Sequence, residues 1–243
     1  MDKYSLLEQL NSFDPGKRRE ALVSLLDNYS GPGVETENVN MHFHSSFSYN
    51  AEGWSPSRIA WEAKQNDLFA ASIIDFDGLD GLDEFLKAGE LLPIRANVGI
   101  ETRSFLSELK DKEIDSPGEP GVSYIAGTGF GKMPVQGTKQ HQTLQNYRET
   151  AKQRNISLIE RINAKLPSIG IDYGEDVIPL TPSGNATERH IVKAYVNKSV
   201  AAFPVKSEFC SFWSDILKIN TDETERLSED RVSFENLVRS KLA

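Results

Sequence analysis

With 243 residues, 38% of them apolar and 26% charged, the chain is long enough to bury a sizeable core and has nothing of a disordered or fibrous composition. Its 36 acidic and 27 basic residues leave a net charge of −9, and no long basic run is present, so a nucleic-acid partner is compatible but not favoured; a local basic pocket can still hold a phosphate. Cys210 is the only cysteine, which excludes an intrachain disulfide and a zinc site of several thiolates, and no window reaches the roughly 18 apolar residues of a membrane span. The amino terminus lacks a secretory pattern, so a cytoplasmic setting without a membrane is expected.

Residues 1–37 read as a helical N-terminal extension. Leu6, Leu7 and Leu10 make one apolar stripe, and Ala21, Leu22, Leu25 and Leu26 another. Asp14-Pro15 has the form of a helix start, and Ser30-Gly31-Pro32-Gly33 breaks the pattern. The main domain is expected over 38–243. Val39–His44 is a strand, and Ser55-Pro56 starts a helix running to about Asp67. Leu68–Asp75 is an apolar run of strand length, Gly81–Leu92 is helical, and Ile94–Glu101 and Val122–Ala126 are further strands. This order predicts a mainly parallel sheet with helices outside, as a barrel or an open layer. Phe105–Gly121 reads as an acidic surface loop, 143–166 as a long helix, and Asn185–Asn197 as another. The last forty residues, with Phe209, Phe212, Trp213, Ile216 and Leu217, read as amphipathic helix.

His42 and His44 stand two apart on a strand, so both point to one side, and two imidazoles can ligate one divalent ion. The plainer alternative is a pair of strand histidines facing solvent. Asp75 and Glu101 end the next two strands, and parallel strands deliver their carboxyl ends to one face, which gathers all four residues in one cleft. Here the alternatives are Asp75 as a turn cap and Glu101 as a partner of Arg103. Arg103 itself reads equally as a phosphate contact or as an exposed surface arginine. Gly127-Thr128-Gly129-Phe130-Gly131-Lys132 lacks the spacing of a phosphate-cradling loop, and Met133-Pro134 follows it, so it reads as a glycine-rich turn. His141 reads as a loop histidine, Cys210 as a small core residue, and Trp54, Trp61 and Trp213 as packing residues.

Several of these segments resemble the polymerase and histidinol phosphatase (PHP) domain family. Met41-His42-Phe43-His44-Ser45 is similar to its opening His-x-His-Ser motif. Ile73-Ile74-Asp75-Phe76-Asp77, followed by Leu79-Asp80-Gly81-Leu82, resembles its Thr-Asp-His segment with the downstream Asp-Gly. Gly99-Ile100-Glu101 resembles its Gly-x-Glu motif, and Glu188-Arg189-His190-Ile191 a later Arg-x-His segment. The resemblance covers residues 38–130 well and 180–197 more thinly. It implies a distorted, incomplete (β/α) TIM-like barrel and a metal-dependent phosphoesterase acting on a small phosphorylated substrate. His42, His44 and Glu101 would ligate one ion, and His190 would share Glu101 to hold a second. Asp75 would be a ligand or general base and Arg103 a phosphate clamp. One or two divalent ions, Zn, Mn or Fe, suit these donors.

The sequence also departs from the family. Phe76 stands where a ligand histidine is usual, as do Asn50 and Tyr124, and no closing Asp-x-His motif is present. A fragment of a longer protein or a shortened variant is expected. The lost ligands raise a second expectation, a non-catalytic PHP-like module that binds metal, a phosphorylated ligand or a protein partner.

Overall fold

The first two helices start on aspartate caps. Asp2 accepts from the Ser5 amide and opens α1 (Lys3–Gln9); Asp14 accepts from the Gly16 and Lys17 amides and opens α2 (Pro15–Asn28). The computed structural model describes residues 2–29, 36–116 and 118–242, and the break expected at Ser30-Gly31-Pro32-Gly33 falls outside them. Two compact units are formed, Met1–Arg148 and Glu149–Ala243.

In the first unit, Leu6, Leu10, Leu22 and Leu25 are buried in the same core as the sheet and its helices. Polar contacts reinforce this packing: Arg58 donates to the Leu7 carbonyl at 2.9 Å, and buried Arg18 pairs with Glu84 at 2.5 Å. The first helices therefore contribute core side chains to the α/β unit as well as length.

That unit holds β1 (Val39–Phe43), α3 (Pro56–Gln65), β2 (Ala70–Phe76), α4 (Leu82–Leu91), β3 (Arg95–Phe105) and β4 (Val122–Thr128). The strands lie in the order β1-β2-β3-β4, a curled mixed sheet consistent with part of a TIM-like barrel. β1, β2 and β3 are parallel, as the alternation of strand and helix predicts. β4 is antiparallel to β3. The reason lies in the connection: α3 and α4 serve as crossovers, whereas the described residues of 106–121 carry a single 3-10 turn and the chain doubles back. β3 consequently runs four residues beyond the expected end at Glu101, and this extension pairs with β4.

The unit boundary falls inside α5 (Lys139–Lys165). His141 is a half-buried residue of this helix, a correction to its reading as a loop histidine.

Among the described residues the second unit contains helices and no strand. α6 (Glu188–Ala202) starts three residues later than the expected Asn185, because Thr187 and His190 form a reciprocal cap there. The tail divides into α7 (Lys206–Leu217), α8 (Thr221–Ser228) and α9 (Arg231–Leu242). Lys218, with φ 58, ends α7, and Asn220 caps α8. Tyr195, Trp213 and Phe234 form the centre of this core; the Trp213 indole donates to Ser199 Oγ at 2.9 Å. Cys210 is buried among them, and Trp61 is buried in the first unit. No helix among the described residues is long and apolar enough to cross a membrane.

Candidate metal centre

β1 does not alternate evenly. Asn40 pairs with Ala71 while Phe43 pairs with Ile73, so three steps along β1 match two along β2. Such a bulge re-aims side chains beside it, and Asn40 Oδ1 holds the His42 amide at 3.0 Å within it. His42 Nε2 lies 3.0 Å from Glu101 Oε2, and His44 Nε2 lies 3.4 Å from the same oxygen. The two rings are 5.2 Å apart at an interplanar angle of 61°. One ligand atom from each of the three residues falls within 4.8 Å of the others, and among the described residues no other group of three His, Cys, Asp or Glu is so gathered.

β3 brings Glu101 to this point through close backbone contacts. A Cβ on Gly99 would lie 2.5 Å from the Gly127 carbonyl oxygen, so the residue must be glycine for β4 to approach. Beyond β2, the Asp77 amide donates to the Glu101 carbonyl at 2.9 Å, and Asp77 Oδ1 accepts from Thr102 Oγ1 at 2.8 Å.

The donor set fits a single divalent ion. Ligand atoms held about 2.0–2.2 Å from an ion lie roughly 3–3.5 Å from one another, which matches the two nitrogen–oxygen separations. Burial pushes the His44 imidazole below its ordinary range, against the pull of Asp75 and Glu101, and so favours the neutral ring that metal ligation needs. Among the described residues its buried Nδ1 has no hydrogen-bond partner of ordinary geometry.

Asp75 is buried, and its carboxylate is occupied by the loop after β1. Oδ1 accepts from the Ser45 amide at 2.7 Å and Ser48 Oγ at 2.8 Å, and Oδ2 accepts from Ser45 Oγ at 2.7 Å. Burial raises its pKa and these hydrogen bonds oppose the rise. Asn50 organises the same loop, donating to the His44 carbonyl at 3.0 Å and accepting from the Glu52 and Trp54 amides. Phe76 stacks on His44, and Tyr124 meets Phe76 edge-on. Arg103 pairs with Glu119 in the loop between β3 and β4.

His190 belongs to the second unit, where its Nδ1 accepts from the Thr187 amide at 3.1 Å. Burial, with Lys193 second, pushes its pKa down to about 4. Of the six residues singled out in the sequence, the structure brings His42, His44 and Glu101 together as a group that could hold a metal ion. Ser45, Ser48 and Asn50 were not anticipated as positioning residues; Ser45 drew notice only as the end of the His-x-His-Ser segment and Asn50 only as a departure from a ligand histidine.

The first unit thus defines a mixed α/β fold with a His-His-Glu cluster over the join between its parallel and antiparallel strands. No protein-family model and no curated protein matches the chain. Among solved structures, a protein of Bifidobacterium adolescentis described as a metal-dependent phosphoesterase matches with a TM-score of 0.52 at 19% identity, over 72% of this chain and 56% of that one. An amidohydrolase of Chromobacterium violaceum with bound sulfate and no metal matches with a TM-score of 0.46 at 18% identity, over 70% of this chain and 51% of that one. The chain therefore spans little more than half the length of these structures, and the first likeness is one of fold.

Proposed function

We propose that the chain is a metal-dependent phosphoric ester hydrolase with His42, His44 and Glu101 as ligands. The observation that carries this reading is the convergence of two imidazole nitrogens on one carboxylate oxygen, at 3.0 and 3.4 Å. The PHP-like segments around these residues support it, as does the shared fold with a protein described as a phosphoesterase. A zinc, manganese or iron ion held there supplies Lewis acidity, acidifying water and offsetting charge on phosphoryl oxygens.

The chain's own residues have distinct tasks. His44, whose imidazole burial pushes below its ordinary range, presents Nε2. Asp75 fixes the Ser45–Ser48 loop behind it, and we assign it to positioning in preference to proton transfer. Arg103 shares the face of β3 that carries Glu101. It would meet a phosphoryl group by exchanging Glu119 for the incoming anion. A further ligand at His190 rests on the sequence resemblance alone. Accepting at Nδ1 puts the ring proton on Nε2, and that proton would have to leave before ligation. The net charge of −9 favours a small phosphorylated substrate over long nucleic acid.

Metal analysis of dialysed protein, then a panel of phosphomonoesters, phosphodiesters and nucleotides with wild type and His42→Ala, tests the reading. Stoichiometric metal and turnover lost in the variant are expected; no metal, or turnover indifferent to His42, would sink it. The engagement of Asp75 and Arg103 within the protein favours a second reading, a non-catalytic metal-binding module. Its signature is His42-dependent metal with no turnover across the panel.

A further inference from the structure

Glu101 has a second carboxylate oxygen, and an ion bridged through it would need more ligands on the same face of the sheet. Strand register fixes what is there. Phe76 on β2 and Ala126 on β4 are the partners of Glu101, and two residues on, Arg103 is opposite Tyr124. Paired residues share a face, so Glu101 is flanked by a phenyl ring and a methyl group, then by a guanidinium and a phenol. Imidazole and carboxylate donors are missing from these four positions.

The two aromatic side chains form one continuous wall. Phe76 lies on His44 with centroids 4.5 Å apart, and Tyr124 meets Phe76 at 5.9 Å and 65°. Carbon therefore fills the side of His44 on which another ligand would have to stand. The nearby carboxylate of Asp75 has both oxygens accepting from Ser45 and Ser48.

We propose that this centre takes a single divalent ion, and that Phe76 and Tyr124 are the residues that hold it to one. The inference rests on the metal reading of His42, His44 and Glu101 and deepens it. A mononuclear site with three protein ligands leaves its remaining positions to water and substrate.

The test is a count. Wild type, Phe76→His, Phe76→His/Tyr124→His and Glu101→Gln are equilibrated by dialysis against Zn(II), and the bound metal per chain is measured by mass spectrometry. Circular dichroism checks each fold, and Mn(II) in place of Zn(II) reports paired ions by their coupled paramagnetic resonance. One ion is expected in the wild type, none in Glu101→Gln, and two in the double variant, whose new imidazoles stand opposite Glu101 on β2 and diagonal to it on β4. Two tightly bound ions in the wild type overturn the proposal. A folded double variant that still takes one ion overturns the role given to the aromatic pair. If the double variant does not fold, the wild-type count and the manganese spectrum still decide the ion number. A wild type that binds no ion is a different failure, that of the metal reading itself.

Discussion

Phe76 lies flat against His44, with ring centroids 4.5 Å apart and planes 14° from parallel. Stacking fixes the imidazole plane and so aims Nε2 at the Glu101 carboxylate. An aromatic pair contributes about 0.5–1.5 kcal/mol beyond its area. Phe76→Leu keeps the bulk and loses the stack, so affinity for a divalent ion should fall about two- to tenfold. Competition with a chromophoric chelator measures this; an unchanged constant would mean that other contacts aim His44.

Asp75 holds the loop after β1 through Ser45 and Ser48, both fully buried. Asp75→Ala leaves those donors unsatisfied and should cost about 2–3 kcal/mol in urea unfolding. Asp75→Asn keeps an acceptor toward the Ser45 amide, and the Ser45 hydroxyl can turn to accept from the new amide group. Its stability and metal content should stay near wild type. Metal lost from a folded Asp75→Asn would make Asp75 a ligand after all.

How far the sequence reveals these features depends on what each rests on. The first three strands follow from apolar runs, and α3 and α4 from helical spacing with a Ser55-Pro56 start, because one-dimensional periodicity carries that information. The direction of β4 does not, since it depends on whether 106–121 can form a crossover helix. Glu101 was recognisable by its place at the end of the parallel pairing, but β3 continues to Phe105 only because β4 pairs with it. The bulge in β1 leaves no mark on a strand of ordinary composition. The engagement of Asp75 is set by two serine hydroxyls, which have no motif of their own. In the second unit, the break after α7 falls on Lys218 in a left-handed conformation, a residue type that does not punctuate helices.

A metal ion held by His42, His44 and Glu101 should stabilise the protein, because an ion that binds only the folded chain shifts unfolding by mass action. At a free Zn(II) concentration a hundredfold above Kd, the expected gain is about 2.7 kcal/mol. Urea unfolding with added metal, then with excess chelator, should show the gain and its reversal. His42→Ala should show neither. A gain that survives in His42→Ala would put the stabilising ion elsewhere.

Arg103 and Glu119 pair at a partly exposed position, so the pair itself contributes at most about 1 kcal/mol to stability. If Arg103 contacts the phosphoryl group, Arg103→Ala should lower kcat/KM by about tenfold or more, as loss of a charge-assisted contact does. Metal content and unfolding should change little. Equal kcat/KM in wild type and variant would reduce Arg103 to a tether for the loop between β3 and β4.

His190 is buried at the start of α6, accepts from the Thr187 amide, and has its pKa pushed from 6.5 down to about 4, chiefly by burial. The folded chain therefore resists a proton that the unfolded chain takes up near pH 6.5. Between these values the unfolded state binds more protons, so stability falls as pH drops from about 6.5 to about 4 and is flat above that window. The full decrease from this one group is about 3 kcal/mol. His190→Gln removes the titration and keeps a side-chain acceptor for the Thr187 amide, as glutamine does at this position of a capping box. Urea unfolding of metal-free protein at pH 7, 5.5 and 4.5 should thus give a variant with a shallower acid slope than wild type. Parallel slopes for wild type and variant would assign the acid sensitivity to other groups.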